Sequence, residues 1–464
     1  VTPLKPGGVL AFIVSDTFMT IKSHKRLREQ ILENYIHKMV RMHPDTFKQV
    51  VNTAVILLQK AEPAERIGDD HNCLMVDMTN ISIHTHLDRF LDILYDIVDM
   101  DKVKEYSDKV YAIFLYKQNL IKDSSLLPFF VAPPKLFTFM RDRNIAVNPD
   151  KAAERRITIN DKVVSVYKLS DIASVTQGLA TGDNKSYLYQ TPQSGRSYRD
   201  ITPYWHLVIS DDELKVISEN EQLRLKIIEH GFHKSRDEQP FDPERWFGGK
   251  HIVPYDKGGA SDTDSGWLPN YYVKTDYYID WSSWAVARIQ TLTIGERDGN
   301  ANSKICSRFQ NSQFYFQNGI TFSRTGQYAP TFRLNSQSVY DTEGSQLLIT
   351  ADGLSIQCML GILCSKLAKF MVKSMIDHTV HAQIDDIKEI PIIIGENQVL
   401  ERSVNLIIQK QKFDSAYDYS SNEQHDIDRL VFDLYGLDNE DICLVEDWYA
   451  RRYPKLTNNA LLDD

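Results

Sequence analysis

The first apolar segment of the chain is a continuous run, residues 9–14, directly after the adjacent glycines Gly7 and Gly8. A run without polar interruption is typical of a strand that is covered on both faces. The glycines supply the backbone freedom of a tight turn. The pattern therefore predicts that residues 9–14 form an inner strand of a parallel sheet.

The period of the hydrophobic pattern changes in the next three segments. Residues 22–34 show a helical pattern, with Leu27, Ile31 and Leu32 on one side and Lys25, Arg26, Arg28 and Glu29 on the other. Two β-rich runs follow at residues 36–42 and 51–58. A strand, a helix and two strands joined by a short loop are the closing portion of a Rossmann-like sheet.

The remaining pattern is more varied. Apolar and polar positions alternate only weakly in residues 60–160. This pattern predicts a connector that contains a strand at 73–78 and an apolar helical face between 87 and 98. Beyond residue 167, the predicted elements are strands at 314–316, 320–324 and 331–334, a helix at 356–375, and tail helices at 399–411, 425–435 and 439–449, the last capped by Asn439.

Composition limits the class of protein. With 464 residues and 42% hydrophobic side chains, the chain is globular and long enough for two or three domains. No segment approaches about 18 uninterrupted apolar residues, so we predict no membrane span. The five cysteines show no Cys-x-x-Cys pair, which favours a reducing cytoplasm. We predict domains at 1–62, 63–164, 165–395 and 396–464.

Charge is distributed unevenly along the chain. The net charge of −10 argues against a simple nucleic-acid binder. Residues 396–464, however, hold 15 acidic and 7 basic side chains, a balance of −8, whereas residues 1–60 hold 9 basic and 4 acidic ones, a balance of +5. The acidity lies mostly in the tail, which leaves room for a local positive groove.

Two strings near the start carry a family resemblance. The string Lys5-Pro-Gly-Gly-Val-Leu-Ala-Phe-Ile-Val14 and the segment 45–60, with Phe47 in its aromatic position, resemble the end of the catalytic domain of γ-type adenine-specific DNA methyltransferases. The resemblance implies that Phe47 stacks on the target base. It also implies a contact between Lys48 and DNA. Without it, Phe47 is an ordinary loop or core residue.

Three later regions follow the same family in order. The string Thr181-Gly-Asp-Asn184 stands in a segment that resembles the opening of a target-recognition domain, and residues 378–394 resemble its close. The tail segments 427–437 and 445–454 are similar to the C-termini of type IIG restriction-modification proteins and of the methyltransferase of BREX phage-defence systems. The resemblance therefore covers most of the chain.

The fold implied by the resemblance is α/β plus α+β. It consists of a C-terminal remnant of a Rossmann-like methyltransferase sheet, a mixed α/β target-recognition domain and a helical tail. The implied chemistry is methyl transfer from S-adenosylmethionine to the exocyclic amino group of adenine. The family's Asn-Pro-Pro-aromatic motif and acidic, glycine-rich cofactor loop are absent from this sequence. We expect that they belong to a preceding part, and that this chain alone neither binds most of the cofactor nor methylates.

Candidate DNA contacts follow from residue type and position. Glycines let a backbone approach a ligand, and Thr, Asn and Lys offer hydrogen bonds to phosphates or base edges. The candidates are Lys48, Gly178, Thr181, Gly182, Asn184, Lys185, Arg324 and Arg333. By itself, a Thr-Gly-Asp-Asn string more often forms a turn without a binding function. Arg324 and Arg333 fit a solvated pair on the surface as well as they fit a DNA contact. Most aromatic residues of 245–284 fit a core better than a base-stacking surface.

Other functions stay open at this point. The chain could be a non-catalytic specificity subunit resembling those of type I restriction systems, or an interaction protein whose acidic tail binds a partner. Double-stranded DNA and other restriction or phage-defence subunits are the predicted partners, and no membrane is expected. His378 and His381 have no second ligand pair at zinc-like spacing, so we predict no metal site.

Overall fold

The computed structural model of the protein describes residues 4–47, 52–62, 67, 71–122, 128–129, 132–142, 156–192, 198–258, 269–351, 353–395 and 397–457. Several sheets and many helices alternate along these residues. The predicted mixed α/β class is therefore confirmed.

A six-stranded mixed sheet occupies the first part of the chain. Its strands are β1 (Val9–Ser15), β2 (Tyr35–Arg41), β3 (Thr53–Gln59), β4 (Asn72–Asp77), β5 (Tyr106–Ser107) and β6 (Ala112–Lys117), in the order β1-β3-β2-β4-β6-β5. The predicted succession of strand, helix and two strands is present. Because β4 and β6 fall in the predicted connector, the sheet runs across the predicted boundary at residue 62.

The position of β1 differs from the prediction. Among the described strands, β1 pairs only with β3, antiparallel, and ends the sheet. Its apolar side chains are largely exposed: Val9 by 57%, Phe12 by 54% and Ile13 by 51%. An apolar run predicts a strand, but it does not show whether other elements of the chain cover that strand. The expectation of a covered inner strand in a parallel sheet is wrong for the described residues.

Four helices accompany this sheet: α1 (Lys25–Leu32), α2 (Leu87–Asp96), α3 (Gln118–Lys122) and α4 (Pro134–Asp142). In α1, Ile31 and Leu32 are buried as predicted, but Leu27 is 44% exposed and Arg28 is fully buried. The Arg28 guanidinium donates hydrogen bonds to the backbone oxygens of Phe18 and Ile21, both at 2.8 Å. These carbonyls compensate the burial of a charge that the helical pattern assigned to the surface.

Three smaller sheets form the middle of the molecule. Their strands are β7 (Arg156–Ile159), β8 (Lys162–Lys168), β9 (Ala173–Thr176), β10 (Leu188–Gln190), β11 (Arg199–Asp200), β12 (Ile252–Asp256), β13 (Tyr277–Asp280), β14 (Ile320–Ser323), β15 (Thr331–Leu334), β16 (Val339–Tyr340), β17 (Gln346–Ile349) and β18 (Pro391–Ile393). The sheet orders are β11-β10-β13-β12-β16, β15-β14-β17-β9 and β18-β8-β7. The predicted strands at 320–324 and 331–334 are β14 and β15, whereas the predicted strand at 314–316 is absent, because residues 312–314 form a 3-10 turn.

The helices of this middle region are α5 (Leu169–Ile172), α6 (Asn184–Tyr187), α7 (Asp211–Glu219), α8 (Glu221–His230), α9 (Ser283–Thr291), α10 (Ile294–Asp298), α11 (Ile356–Leu363), α12 (Lys366–Phe370) and α13 (Ile384–Ile387). The single helix predicted at 356–375 is interrupted. Ser365 starts α12 as an N-cap, because its hydroxyl accepts a hydrogen bond from the Ala368 amide at 3.1 Å. A π-helical turn, Met371–Ile376, then ends the segment.

The tail contains the three predicted helices, α14 (Gln398–Phe413), α15 (Glu423–Tyr435) and α16 (Asn439–Arg452). As predicted, α15 ends at Gly436, whose φ of 72° is left-handed. The cap of α16 is Asp438 rather than Asn439, since the Asp438 carboxylate accepts from the Asp441 amide at 2.8 Å. Buried residues of the first sheet, the middle region and the tail belong to one continuous apolar core.

A buried ionic junction joins the same three parts. The strands β1, β2 and β4 run in one direction, so Asp16, Arg41 and Asp77 meet at one edge of the sheet. Arg41 Nη2 lies 3.0 Å from Asp16 Oδ2, and Arg451 Nε of α16 lies 3.3 Å from Asp77 Oδ2. His378 Nε2 lies 3.1 Å from Asp16 Oδ2. We call these five residues, all at most 7% exposed, the junction cluster.

Candidate nucleic-acid interface

An open groove of about 490 Å³ lies in the middle region, beside the end of β9 and the start of α13. Its polar lining comes from three distant segments: Gln177, Gln310, Asn311, Gln383, Asp385 and Lys388. Amide side chains dominate this lining. A side-chain amide carries both a donor and an acceptor, which is the pattern that base edges present in the major groove of DNA.

Two of these amides are held by the backbone on one side of the groove. Gln310 Nε2 donates to the Gly178 carbonyl oxygen at 3.0 Å, and Asn311 Nδ2 donates to the Gln177 carbonyl oxygen at 2.8 Å. A carbonyl can only accept, so each amide must turn its nitrogen toward the backbone. Among the described residues, no donor hydrogen-bonds Gln310 Oε1 or Asn311 Oδ1.

Gln383 is held in the opposite sense. Its Oε1 accepts a hydrogen bond from Arg324 Nη2 at 3.0 Å, and a guanidinium can only donate. The amide nitrogen of this exposed residue is therefore the group that remains for a ligand. Arg324 itself is 6% exposed and also donates to the carbonyl oxygens of Thr342 and Ala382 at 3.2 and 3.4 Å.

The two arginines named as DNA contacts are buried. The guanidinium of Arg324 faces the protein interior as described above, and Arg333, 5% exposed, donates to the hydroxyls of Ser323 and Thr331 at 3.0 and 3.2 Å. Burial lowers the pKa of Arg333 to about 10. Neither guanidinium is placed at the surface, as a phosphate contact requires. Their DNA role stays a prediction that this burial disfavours.

The loop that contains the other candidates packs against the residues 304–308. Gly178 makes the closest approach, since a Cβ there would lie 1.9 Å from the Tyr340 carbonyl oxygen. Gly182 has a left-handed φ of 75° and faces Cys306. Both glycines are thus explained by backbone packing. Any contact they make with DNA stays a prediction.

The polar residues of this loop form a local turn. Thr181, 1% exposed, donates its hydroxyl to Asn184 Oδ1 at 2.6 Å, and the Asp183 amide donates to Thr181 Oγ1 at 3.2 Å. Asn184 is half-buried and Lys185 is exposed. Exposed cations also stand on the neighbouring segment, at Lys304 and Arg308. Of the predicted loop residues, Lys185 is the one best placed to meet a phosphate.

Phe47 stands apart from the groove, at the edge of the first sheet. It is 41% exposed in the loop between β2 and β3, on the side where Arg41 ends β2. Lys48, the other candidate there, lies outside the described residues. The Phe47 ring is exposed, and its stacking on a target base stays a prediction.

Residues 378–389 connect this sheet edge to the groove. His378 contacts Asp16 at the sheet edge, and its Nδ1 lies 2.7 Å from the Thr20 hydroxyl. Lys22 donates to the Asp385 carbonyl oxygen at 2.8 Å, while the Asp385 side chain lines the groove. One short segment therefore touches both candidate regions, so that groove and sheet edge are positioned together.

The turn at Gly7 and Gly8 is held by backbone hydrogen bonds. The amides of Gly7 and Gly8 donate to the carbonyl oxygens of Lys60 and Lys5 at 2.8 and 2.9 Å, so they are not available to an anionic cofactor group. No group of three or more His, Cys, Asp or Glu side chains that could hold a metal is present in this part of the chain. None of the described helices is long and apolar enough to cross a membrane.

Sequence reasoning missed Gln177, Gln310 and Asn311. Residues 177 and 310 are far apart in the chain, and their proximity depends on the bridge between Ala180 and Arg308. An available signal was Gln383, which stands in the string His378-Thr-Val-His-Ala-Gln383 that resembles the family.

The chain is thus a mixed α/β protein with an open, amide-lined groove in its middle region. No protein-family model matches the chain. No curated protein matches it either.

Solved structures of restriction-modification enzymes are similar at a low level. The type IIG restriction endonuclease BpuSI is 12% identical over 98% of this chain and 48% of that chain, with a TM-score of 0.32. The type IIL enzyme MmeI, solved in complex with DNA, is 11% identical over 97% and 50%, with a TM-score of 0.41. A type I methyltransferase subunit from Streptococcus thermophilus is 14% identical over 26% and 25%, with a TM-score of 0.20. The chain spans about half the length of the first two.

Proposed function

We propose that this chain is the DNA-recognition and target-base-handling part of a site-specific adenine-N6 DNA methyltransferase. The parent enzyme would transfer methyl from S-adenosylmethionine and serve a restriction-modification or phage-defence system. The observation that carries the proposal is the groove in the middle region, where the side-chain amides of Gln310, Asn311 and Gln383 are each fixed by a hydrogen bond at one end and open to a ligand at the other. Sequence-specific DNA readers present such groups to base edges.

The part assigned to Phe47 follows from the chemistry of the target. The amino group of adenine is inside the duplex, so the base must be rotated out at a cost of a few kcal/mol. Stacking on an aromatic face offsets part of that cost. The exposure of Phe47 at the sheet edge supports this role, and the segment 378–389 links that edge to the groove.

The proposal gives this chain recognition without methyl transfer. The sequence has no Asn-Pro-Pro-aromatic string to hold the amino group. The uncovered apolar side chains of Val9, Phe12 and Ile13 on β1 fit a surface that packs against a further part of a catalytic domain. Methylation would then require that part, which would supply most of the cofactor site.

Binding to duplex DNA over a range of salt concentrations tests the proposal. We expect retarded complexes whose affinity falls as salt rises, because basic side chains replace counterions on phosphates. With labelled S-adenosylmethionine we expect no methyl transfer by the chain alone. A complete lack of salt-dependent binding would contradict the proposal, and methyl transfer would contradict the division of labour.

DNA that carries a mispaired target base separates this function from that of a non-catalytic specificity subunit. A base-extruding protein binds a mispaired target more tightly, because less pairing energy is lost. A specificity subunit that only reads the duplex gains nothing from the mispair. Equal affinity for both duplexes would therefore favour the subunit function.

A further inference from the structure

We infer that Gln310, Asn311 and Gln383 form a fixed base-reading set in the groove, and that Arg324 is the positioning residue of Gln383. The inference depends on the proposed DNA recognition and adds which side chains read bases and with which hydrogen-bonding groups. It also gives Arg324 a different task from a direct DNA contact. Three features of the groove carry it.

The first feature is the acceptor pair. Gln310 and Asn311 are adjacent, and both direct their nitrogens to backbone carbonyls, at 3.0 and 2.8 Å. Their oxygens are the groups left to accept a hydrogen bond. In the major groove, acceptors pair with the exocyclic amino groups of cytosine or adenine. This side of the groove therefore selects a base that presents an amino group.

The second feature is the donor that faces them. Gln383 gives its oxygen to Arg324 Nη2, so its Nε2 hydrogens are available. Such a donor pairs with the acceptors of guanine, with adenine N7 or with thymine O4. Since Gln383 and the acceptor pair line the same groove, the set discriminates more than one base position.

The third feature is that the amides cannot exchange their ends. A turned amide at Gln310 or Asn311 would set two oxygens against each other, and a turned Gln383 would set its NH₂ group against a guanidinium. The orientation of these amides is thus decided by their partners rather than by the ligand. Fixed groups lose less conformational freedom on binding and penalise the wrong base more strongly.

Arg324 holds Gln383 from behind the groove. Its guanidinium is buried and bridges the turn at Thr342 to the backbone at Ala382, next to Gln383. A lysine at this position keeps the charge but lacks the planar fork that serves several acceptors at once. Arg324 therefore influences base choice without touching DNA.

Selection of bound duplexes from a randomised DNA library, at one salt concentration and with the full chain, tests the inference. We expect the unaltered chain to enrich a defined sequence. Gln383→Glu places an acceptor where the donor was, and its carboxylate still pairs with Arg324. We expect this variant to change the preferred base at one position to cytosine or adenine, by roughly tenfold, and to leave the other positions as they were.

Further variants locate the effect. Gln383→Ala should relax preference at the position that Gln383→Glu changes, and Arg324→Lys should relax that same position. The affinity of both variants for unselected DNA should stay within about twofold of that of the unaltered chain, because phosphate contacts determine this affinity. Gln313, an exposed glutamine on the same stretch that does not line the groove, provides the control: Gln313→Ala should leave the enriched sequence unchanged.

The outcomes separate the inference from the proposed function. If the unaltered chain binds no DNA, the proposed function fails and the inference fails with it. If the chain binds DNA without sequence preference, or if Gln383→Glu leaves the enriched sequence unchanged, DNA binding stands and the inference is overturned. If Arg324→Lys does not fold, the surface substitution Gln383→Glu still decides.

Discussion

The junction cluster and the groove use polar side chains in opposite ways. The junction cluster consists of ionised or ionisable groups that are almost completely buried and paired with one another. The groove is lined mainly by neutral amides, and three of them, Gln310, Asn311 and Gln383, have one end bound to the protein and the other end open. Charges thus join the parts of the molecule, and uncharged groups form the surface offered to a ligand.

The difference follows from solvation. A buried charge must be compensated by an opposite charge or by several hydrogen bonds, so a cluster such as Asp16 with Arg41 is satisfied internally and has little left for a ligand. A neutral amide costs less to desolvate than a charge, so its open end can exchange water for a base edge. We therefore expect changes in the junction cluster to alter stability and changes in the groove to alter recognition.

Removal of Arg451 should have the largest effect. Its guanidinium is 1% exposed and pairs with Asp77, which is 5% exposed. Arg451→Ala leaves a buried carboxylate without this partner, which costs about 3–5 kcal/mol. We expect a loss of that size in the free energy of unfolding, measured by urea denaturation.

An exposed arginine provides the control for this change. Arg429 lies on the surface of α15, and Arg429→Ala should change the free energy of unfolding by less than about 0.5 kcal/mol. If both substitutions changed the free energy of unfolding equally, the buried pair of Arg451 and Asp77 would not stabilise the fold. The distinction between junction and groove would then disappear.

The pH dependence of stability should depend on Asp16. Burial alone would raise its pKa, but the Arg41 guanidinium and the neighbouring His378 imidazole outweigh burial, so that the pKa lies well below its usual value. Because the folded value is depressed, this stabilisation is present above the unfolded pKa of about 3.9 and is lost as pH falls below it. We expect Asp16→Asn to lose on the order of 2 kcal/mol at neutral pH and to flatten the acid limb of the unfolding curve.

Asp92 is the matched carboxylate. It is exposed on α2, so Asp92→Asn should leave both the stability and its acid limb unchanged. An acid limb that is equally steep in the Asp16→Asn variant would contradict the assignment of the depressed pKa to the junction cluster.

The burial of these charges was the part of the structure least visible in the sequence. The tail helices and the pair β14 and β15 were predictable, because their patterns are local and their caps or turns stand beside them. Arg324 is held by residues 58 and 59 positions further along the chain, and no local pattern reports such partners. For the same reason, the sequence did not reveal that Arg333 is buried against Ser323 and Thr331.

The first sheet gives the complementary lesson. Its order of elements followed from period and turn residues, yet Leu27 and Arg28 exchanged the expected sides of α1. Buried carbonyls at Phe18 and Ile21 require a donor, and this requirement outweighs the helical pattern. The groove amides could not be assembled in advance, since their proximity is created by three separate segments. Among them, Gln177 and Gln383 stood in segments with a family resemblance, but neither was singled out.

Phe47 should have an intermediate effect, and it acts on binding rather than on stability. Stacking of a base on an aromatic side chain is worth about 1–3 kcal/mol. Against DNA whose target adenine is mispaired, Phe47→Ala should lose roughly tenfold or more in affinity, whereas Phe47→Trp should retain it. Fluorescence titration with 2-aminopurine at the target position measures both affinity and extrusion.

A second exposed aromatic residue serves as the control for Phe47. Trp284 is 61% exposed on α9, and Trp284→Ala should bind the mispaired duplex as the unaltered chain does. Equal losses for the two substitutions would show a general effect of surface aromatic residues. If Phe47→Ala lost the same affinity for paired and for mispaired DNA, Phe47 would not act by stacking on an extruded base.

Lys185 should have the smallest effect and should sharpen the distinction between reading bases and binding phosphates. Its side chain is exposed in α6, directly after the turn at Thr181–Asn184, so it can neutralise one phosphate, but it carries no information about sequence. Lys185→Ala should weaken all duplexes equally, by less than about tenfold, and reduce the slope of log affinity against log salt by about one. Lys215→Ala, on the exposed face of α7, should leave that slope unchanged. If Lys185→Ala instead altered the enriched sequence, charge would take part in reading bases, and the assignment of readout to neutral amides alone would fail.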